Sequence, residues 1–328
     1  MPPRRTVLRA AGWASLAMMA GAGLSGCRIR LQDDAPTIPF ISRQPIPDED
    51  LLVSAYRRAV ELAAVAARAS GVPLAAEVTQ RHTRQAQTVR AILAAGLVPD
   101  HVISGPAPTG PAPAGGTATS PTATTSPTAA GAPAATAEEL GHAARDAANG
   151  SIAAAGSFAT HRALGVAIAA HDAAEATSLG APPDWPTHDP LPPSVATALV
   201  EVTRACEYAL QVAAAHLLDK ERAALLTTLV ALSRREATLT AGLTAGLTPE
   251  PKPALGYRLP FPVAGPEAAR RLVVAVLGNL VDRGLDGIER IPAGSSAVLE
   301  IVRLQAEAVT LAVTHGVVWP TMPGMALG

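Results

Sequence analysis

Aromatic side chains are scarce: three Phe, three Tyr and three Trp make up 3% of a 328-residue chain that is 48% hydrophobic. Ala, Leu and Val must therefore build the core, and small side chains of good helix propensity favour close-packed helices. Runs alternating β-branched and aromatic residues, the mark of strands, are almost absent. Charge imbalance is lacking too. The formal net charge is −1, so no polyanion partner is implied. The two basic clusters, Arg81/Arg84/Arg90 and Arg234/Arg235, fall on helical patterns where a solvated helix face accounts for them, without aromatic residues interleaved for base stacking. Nucleic acid is thus excluded as a partner. There is no Gly-x-Ser-x-Gly elbow and no Ser-His-Asp order on a strand–turn–helix context. No Gly-rich loop is set to cradle phosphate, because Gly115-Gly116 lies in a low-complexity tract. Beyond the N-terminus, no uninterrupted apolar run reaches the roughly 18 residues a spanning helix needs. Cysteine is limited to Cys27 and Cys206.

What is present begins with an address. In MPPRRTVLRAAGWASLAMMAGAGLSGC, Arg4 and Arg5 precede an apolar pair and a further Arg, a pattern that resembles the twin-arginine export signal. A moderately apolar stretch follows, too short for a membrane span and flanked as a signal h-region is. It ends in Leu24-Ser25-Gly26-Cys27, which resembles a bacterial lipobox; that resemblance implies cleavage before Cys27 and a lipid on its thiol. Residues 1–27 are then a lipoprotein signal peptide. The protein is expected on the outer face of the cytoplasmic membrane, held there by its lipid. Cys206, alone on an apolar helical face, is expected to act as a small hydrophobe. A twin-arginine route carries proteins already folded, which is a reason to look for an internal cofactor.

Residues 28–49, polar and punctuated by Pro, read as a tether. Residues 50–95 carry two helical patterns divided by Gly71-Val72-Pro73. The second ends in LAAGLVPD from Leu93, with Gly96 the expected left-handed C′ residue and Pro99 the stop. Residues 103–136 are Ala/Pro/Ser/Thr-rich and too poor in apolar surface to fold. Residues 137–179 are helical again, with a break expected near Asn149-Gly150, and Trp185-Pro186 follows. After a linker at 187–193 the helix pair recurs and ends in LTAGLTPE from Leu243. Two further helical stretches, 266–288 and 296–315, lead to Trp319-Pro320. Each half therefore offers about four helices and a terminal Trp-Pro, and helices joined by short turns pack antiparallel. The expectation is an all-α protein of two tandem up-and-down four-helix bundles, 50–186 and 194–324, with the disordered insert in the first.

The segment Tyr257-x-Leu259-Pro260-Phe261-Pro262-Val263, taken with Trp319 and Pro323-Gly324, resembles an actinobacterial ferritin-like domain of unknown function found in exported and lipid-anchored proteins. The resemblance covers residues 194–324 and reaches the first half only through the internal repeat. It implies ferritin-like bundles and no particular activity.

Metal-binding bundles of that shape carry one Glu on each of two helices and Glu-x-x-His on each of the other two. The second half departs from this. Glu207 and His216 are donors on its first helix, but Leu232, Ser233 and Glu236 stand where a His is needed. Leu277 and Gly278 replace an acid on the third helix, and Gln305, Ala306 and Glu307 on the fourth include no Glu-x-x-His. In the first half Glu139-x-x-His142 fits, His171 and Glu175 are i, i+4 on one face, and His82 shares a stripe with Val78, Gln85 and Val89. Glu61 and Asp146 are further oxygen donors. Imidazole with carboxylate suits Zn, Fe or Mn. The bland account is that Glu138 and Glu139 cap a helix after Thr136 and that His82 is a hydrogen-bonded core histidine. The leading expectation is accordingly a non-enzymatic, lipid-anchored envelope protein without a cofactor that binds or scaffolds an unknown envelope partner. The competing one is an Fe- or Mn-dependent oxidoreductase or ferroxidase-like protein with its site at His82, Glu139, His142, His171 and Glu175.

Overall fold

The computed structural model describes residues 43–105, 133–245 and 251–325. Arg4, Arg5, the lipobox, Cys27 and most of the tether lie outside these, as do residues 106–132 of the insert and 246–250 of the second repeated phrase. Regular structure among the described residues is all helical: α1 (Glu49–Arg68), α2 (Ala75–Ala95), α3 (Asp100–Ser104), α4 (Ala137–Ala155), α5 (Arg162–Ser178), α6 (Pro193–Ala214), α7 (Asp219–Ala245), α8 (Pro266–Asp282), a 3-10 turn (Ile288–Arg290) and α9 (Val298–Thr314). No described helix is long and apolar enough to cross a membrane. The described residues from Pro45 onward fold as one compact unit. Helix α1 packs on α2 and α4, and α4 on α5; α6 packs on α7 and α8, and α8 on α9. The two sets meet along α5 and α9. Consistent with that central place, every residue of α5 from Leu164 to Ala176 is buried, including three polar ones. A helix can be buried all round only when its faces are small or apolar, and α5 is largely Ala.

The repeat seen in the sequence is also a repeat of burial. Helix α2 buries Val78, His82, Gln85, Val89 and Leu93, while α7 buries Thr228, Leu232, Arg235, Leu239 and Leu243 at a constant offset. Three of these positions turn over in chemistry, Val78 to Thr228, His82 to Leu232 and Gln85 to Arg235. Arg235 and Arg81 also correct the expectation of solvated basic faces. Arg235 is buried, and burial brings its guanidinium down to about 10, with Nη1 donating to Leu304 O. Arg84, Arg90 and Arg234 are exposed as expected.

Two local details differ from expectation for physical reasons. The left-handed residue after α2 is Leu97 (φ 57°), not Gly96 (φ −80°). The end is still a Schellman motif, with Val98 N–H donating to Leu93 O and Leu97 N–H to Ala94 O. Gly96 is required for space instead: a Cβ there would lie 2.8 Å from two carbons of Ile46. Asn149-Gly150, expected to break the fourth helix, lies inside α4. Asn149 is held from outside, its amide donating to Asp184 and its carbonyl accepting Asp184 N–H. The break falls at residues 156–161, where the Asp48 carboxylate accepts the N–H groups of Ala159, Thr160 and His161. Burial opposes ionisation of Asp48, but these three donors outweigh it and lower its pKa. Ile46 and Asp48 thus already belong to the fold, before α1 starts.

Candidate functional site

Helices α2 and α5 bring His82, His171 and Glu175 together in the buried interior, 0–1% exposed. His82 Nε2 lies 2.8 Å and His171 Nε2 3.5 Å from the same oxygen, Glu175 Oε2. One donor atom from each residue falls within 4.8 Å of the others, the sole such His/Cys/Asp/Glu group of three among the described residues. None of the three facing atoms has a hydrogen-bond partner. The 2.8 Å contact has the length of a hydrogen bond and acts on the pKa values of both groups as one would, but it falls short of one in direction.

The remaining atoms of these side chains are all committed. Glu175 Oε1 accepts from Arg81 Nη2 at 2.5 Å and Nε at 3.1 Å. His82 Nδ1 lies 2.7 Å from Gln85 Oε1. The orientation of that amide is set, because Gln85 Nε2 donates to Asp172 Oδ1 at 3.1 Å while Ser151 Oγ donates to Asp172 Oδ2 at 2.5 Å. The carboxylate accepts both, so the amide oxygen must face His82, and His82 Nδ1–H donates to it. His171 Nδ1 lies 3.1 Å from the Pro320 carbonyl. Trp319 closes the outer side, 4.3 Å from the Arg81 guanidinium carbon to its ring centroid and edge-on to His171 at 5.9 Å. Burial works against charge on both members of the pair. For His82 the neighbouring Glu175, with Asp172 behind it, outweighs burial and raises the pKa. For Glu175 the adjacent His171 and His82 outweigh it and hold the carboxyl well below its ordinary range. Glu175 is a carboxylate.

Of the five residues expected to form a site, the structure joins His82, His171 and Glu175 and separates Glu139 and His142. Glu139 closes a capping box with Thr136, its carboxylate accepting Thr136 N–H at 2.7 Å and its N–H donating to the Thr136 hydroxyl at 3.1 Å. His142 is exposed and lies near Glu138, one turn away. Both sit on the outer face of α4, which turns Leu140, Ala144, Ala148, Ser151 and Ile152 inward. Glu61 and Asp146 are exposed as well. Sequence reasoning missed Arg81, Ser151, Asp172 and the Trp319-Pro320 pair as site neighbours. Only Asp172 carried a local signal, being next to His171 on a helix with little else that is polar. Outside this cluster, His161 lies 3.3 Å from Asp48 and His188 3.0 Å from Glu300.

The second half has different chemistry at the corresponding depth. Burial, and then the charge of Glu236, raise Glu207 to about 7. Glu236 itself accepts from Arg204 Nε at 2.5 Å. Cys206 is buried and its thiol is pushed up to about 12 by burial, which leaves it inert as a nucleophile.

No family model, curated protein or solved structure matches this chain. The site's chemistry therefore rests on its atoms. Two imidazole nitrogens and one carboxylate oxygen form a set of three protein ligands, which leaves an ion a position for a further ligand. Metal-bound histidines habitually donate their other ring N–H to an oxygen. His82 does so to Gln85, and His171 has the Pro320 carbonyl in place for it.

Proposed function

We propose that this protein is an exported, lipid-anchored envelope protein, built as two tandem ferritin-like bundles, that binds one divalent transition-metal ion through His82 Nε2, His171 Nε2 and Glu175 Oε2. One observation carries the metal reading: three buried donor atoms converge without hydrogen-bond partners, while every other polar atom of the same side chains has one. A purely structural ion pair would align its N–H with the carboxylate, because leaving buried polar atoms unsatisfied costs about 1–3 kcal/mol each. The donor set suits Zn, Fe(II) or Mn(II). Arg81 orients Glu175 through its second oxygen and leaves Oε2 as the ligand. Gln85, Asp172 and Ser151 fix the tautomer of His82. The ion would supply Lewis acidity or, as iron or manganese, a redox couple.

The envelope address follows from Arg4, Arg5 and the Leu24–Cys27 lipobox, and the ferritin-like assignment from the resemblance of residues 194–324 and the repeated burial register. The ligand set is not the Glu and Glu-x-x-His pattern of di-iron bundles, which favours a mononuclear site. The test is elemental analysis of the protein purified without chelator or affinity metal. The proposal expects close to one equivalent of Zn, Fe or Mn, lost in His82→Ala and His171→Ala. Less than about a tenth of an equivalent, also after reconstitution with Zn(II), Fe(II) and Mn(II), overturns it.

A further inference from the structure

Two neighbours compete for His171 Nδ1. The Trp319 indole Nε1 lies 3.2 Å from it and the Pro320 carbonyl oxygen 3.1 Å. An indole N–H only donates and a carbonyl only accepts. In a neutral imidazole Nδ1 either carries the ring proton or presents a lone pair, so it satisfies one of these neighbours and not both. The choice fixes the other end of the ring. When Nδ1 accepts from Trp319, Nε2 carries the proton towards Glu175 Oε2 and has no lone pair for an ion. When Nδ1 donates to Pro320 O, Nε2 offers its lone pair beside those of His82 and Glu175. His82 has no such alternative, because the Gln85 amide is oriented by Asp172.

The geometry points to a metal-responsive latch: His171 turns Nδ1 from the Trp319 N–H to the Pro320 carbonyl when Nε2 ligates a divalent cation, so that Trp319 competes with the ion. The latch rests on the metal-binding reading given above. Its proton balance closes within the ring, since the proton leaving Nε2 is matched by one on Nδ1 and the imidazole stays neutral. The indole N–H then has no acceptor on the imidazole. The Trp319 ring stays between Arg81 and His171. Because Trp319 follows α9, occupancy of a site built on α2 and α5 is felt at the far end of the chain. Trp319 is a positioning residue and touches no ion.

Trp319→Phe keeps a ring on Arg81 and removes the N–H. The latch predicts that zinc, titrated calorimetrically into the full-length protein, binds this variant about three- to tenfold more tightly than wild type, because a hydrogen bond of the ion-free state alone is lost. A ring that merely covered the site would give the opposite sign. Unchanged or weaker binding, with wild type still taking up one equivalent, overturns the latch and leaves the site standing. Failure of wild type to bind zinc, iron or manganese overturns both. A second readout avoids the variant: in wild type, one equivalent of zinc should move the Trp319 indole N–H resonance upfield and leave that of Trp185 in place. An unmoved Trp319 resonance, with zinc bound, overturns the latch as well.

Discussion

Gly165 lies in the first turn of α5, the helix that carries His171 and Glu175. A Cβ at this position would sit 2.3 Å from Phe158 Cδ2 and 2.7 Å from Cγ. Phe158 is 3% exposed, and the turn that holds it is pinned by the three N–H groups donating to Asp48, so the ring has little room to retreat. Helix propensity alone makes Gly165→Ala stabilising by about 1 kcal/mol. Overpacking costs about 1–3 kcal/mol, and overlap with a pinned, buried ring belongs at the upper end. The net expectation is a loss of about 2 kcal/mol. Phe158→Leu alone should cost about 1–2 kcal/mol through lost volume. In the double variant the clash is gone and Ala keeps its propensity, so the pair should be no less stable than Phe158→Leu. The coupling is then about 2–3 kcal/mol. Urea unfolding of wild type, both single variants and the double, followed by circular dichroism in chelator, reads it directly. A Gly165→Ala protein as stable as wild type, or a strictly additive double, would refute the argument from close approach.

The end of α2 predicts opposite signs at adjacent residues. Leu97→Gly relieves a left-handed conformation at a site 81% exposed and should gain about 0.5–1 kcal/mol, whereas Gly96→Ala meets Ile46 and should lose about 1 kcal/mol; thermal melts that move both the same way contradict this. Glu207 has its pKa raised from 4.5 to about 7 by burial and then by Glu236. Below pH about 4.5 both folded and unfolded chains hold that proton, and as pH rises towards about 7 the unfolded chain releases it first, so stability falls across this window and levels off above it. Glu207→Gln removes the fall: its advantage over wild type should be near zero at low pH and reach about 1.5–3 kcal/mol at pH 8, the lower figure allowing for solvent screening. Equal effects at both pH values in urea titrations would count against it. Glu175→Gln should weaken zinc binding at least about 100-fold, while His142→Ala should leave it unchanged; a calorimetric result in which His142 matters would place the site elsewhere.

Much of the helical architecture is legible in the chain itself. The scarcity of aromatic and β-branched alternation excludes sheets, and the spacing of Val78, His82, Gln85, Val89 and Leu93 gives the inner face of α2 before any packing is known. Thr136 with Glu139 announces its capping box, and His171 with Glu175 must share a face because one helical turn separates them. Helical periodicity, however, relates only side chains within a turn or two of each other. Glu139-x-x-His142 matched the bundle ligand pattern locally, but the capping reading of Glu139 after Thr136 is the one that holds, and both side chains point away from the interior. On Ala-rich α4 nearly every face is apolar enough to be the inner one, so its orientation was set by neighbours. Arg81 meets Glu175 across 94 residues and Trp319 meets His171 across 148. Such meetings depend on which helices pack together, and above all on α5 being enclosed on every side between α4 and α9. The sequence by itself determined the all-helical build, the Thr136 cap of α4 and the repeat. Tertiary packing alone decided which three donor atoms face one another, because burying α5 denies them water and leaves only each other as neighbours.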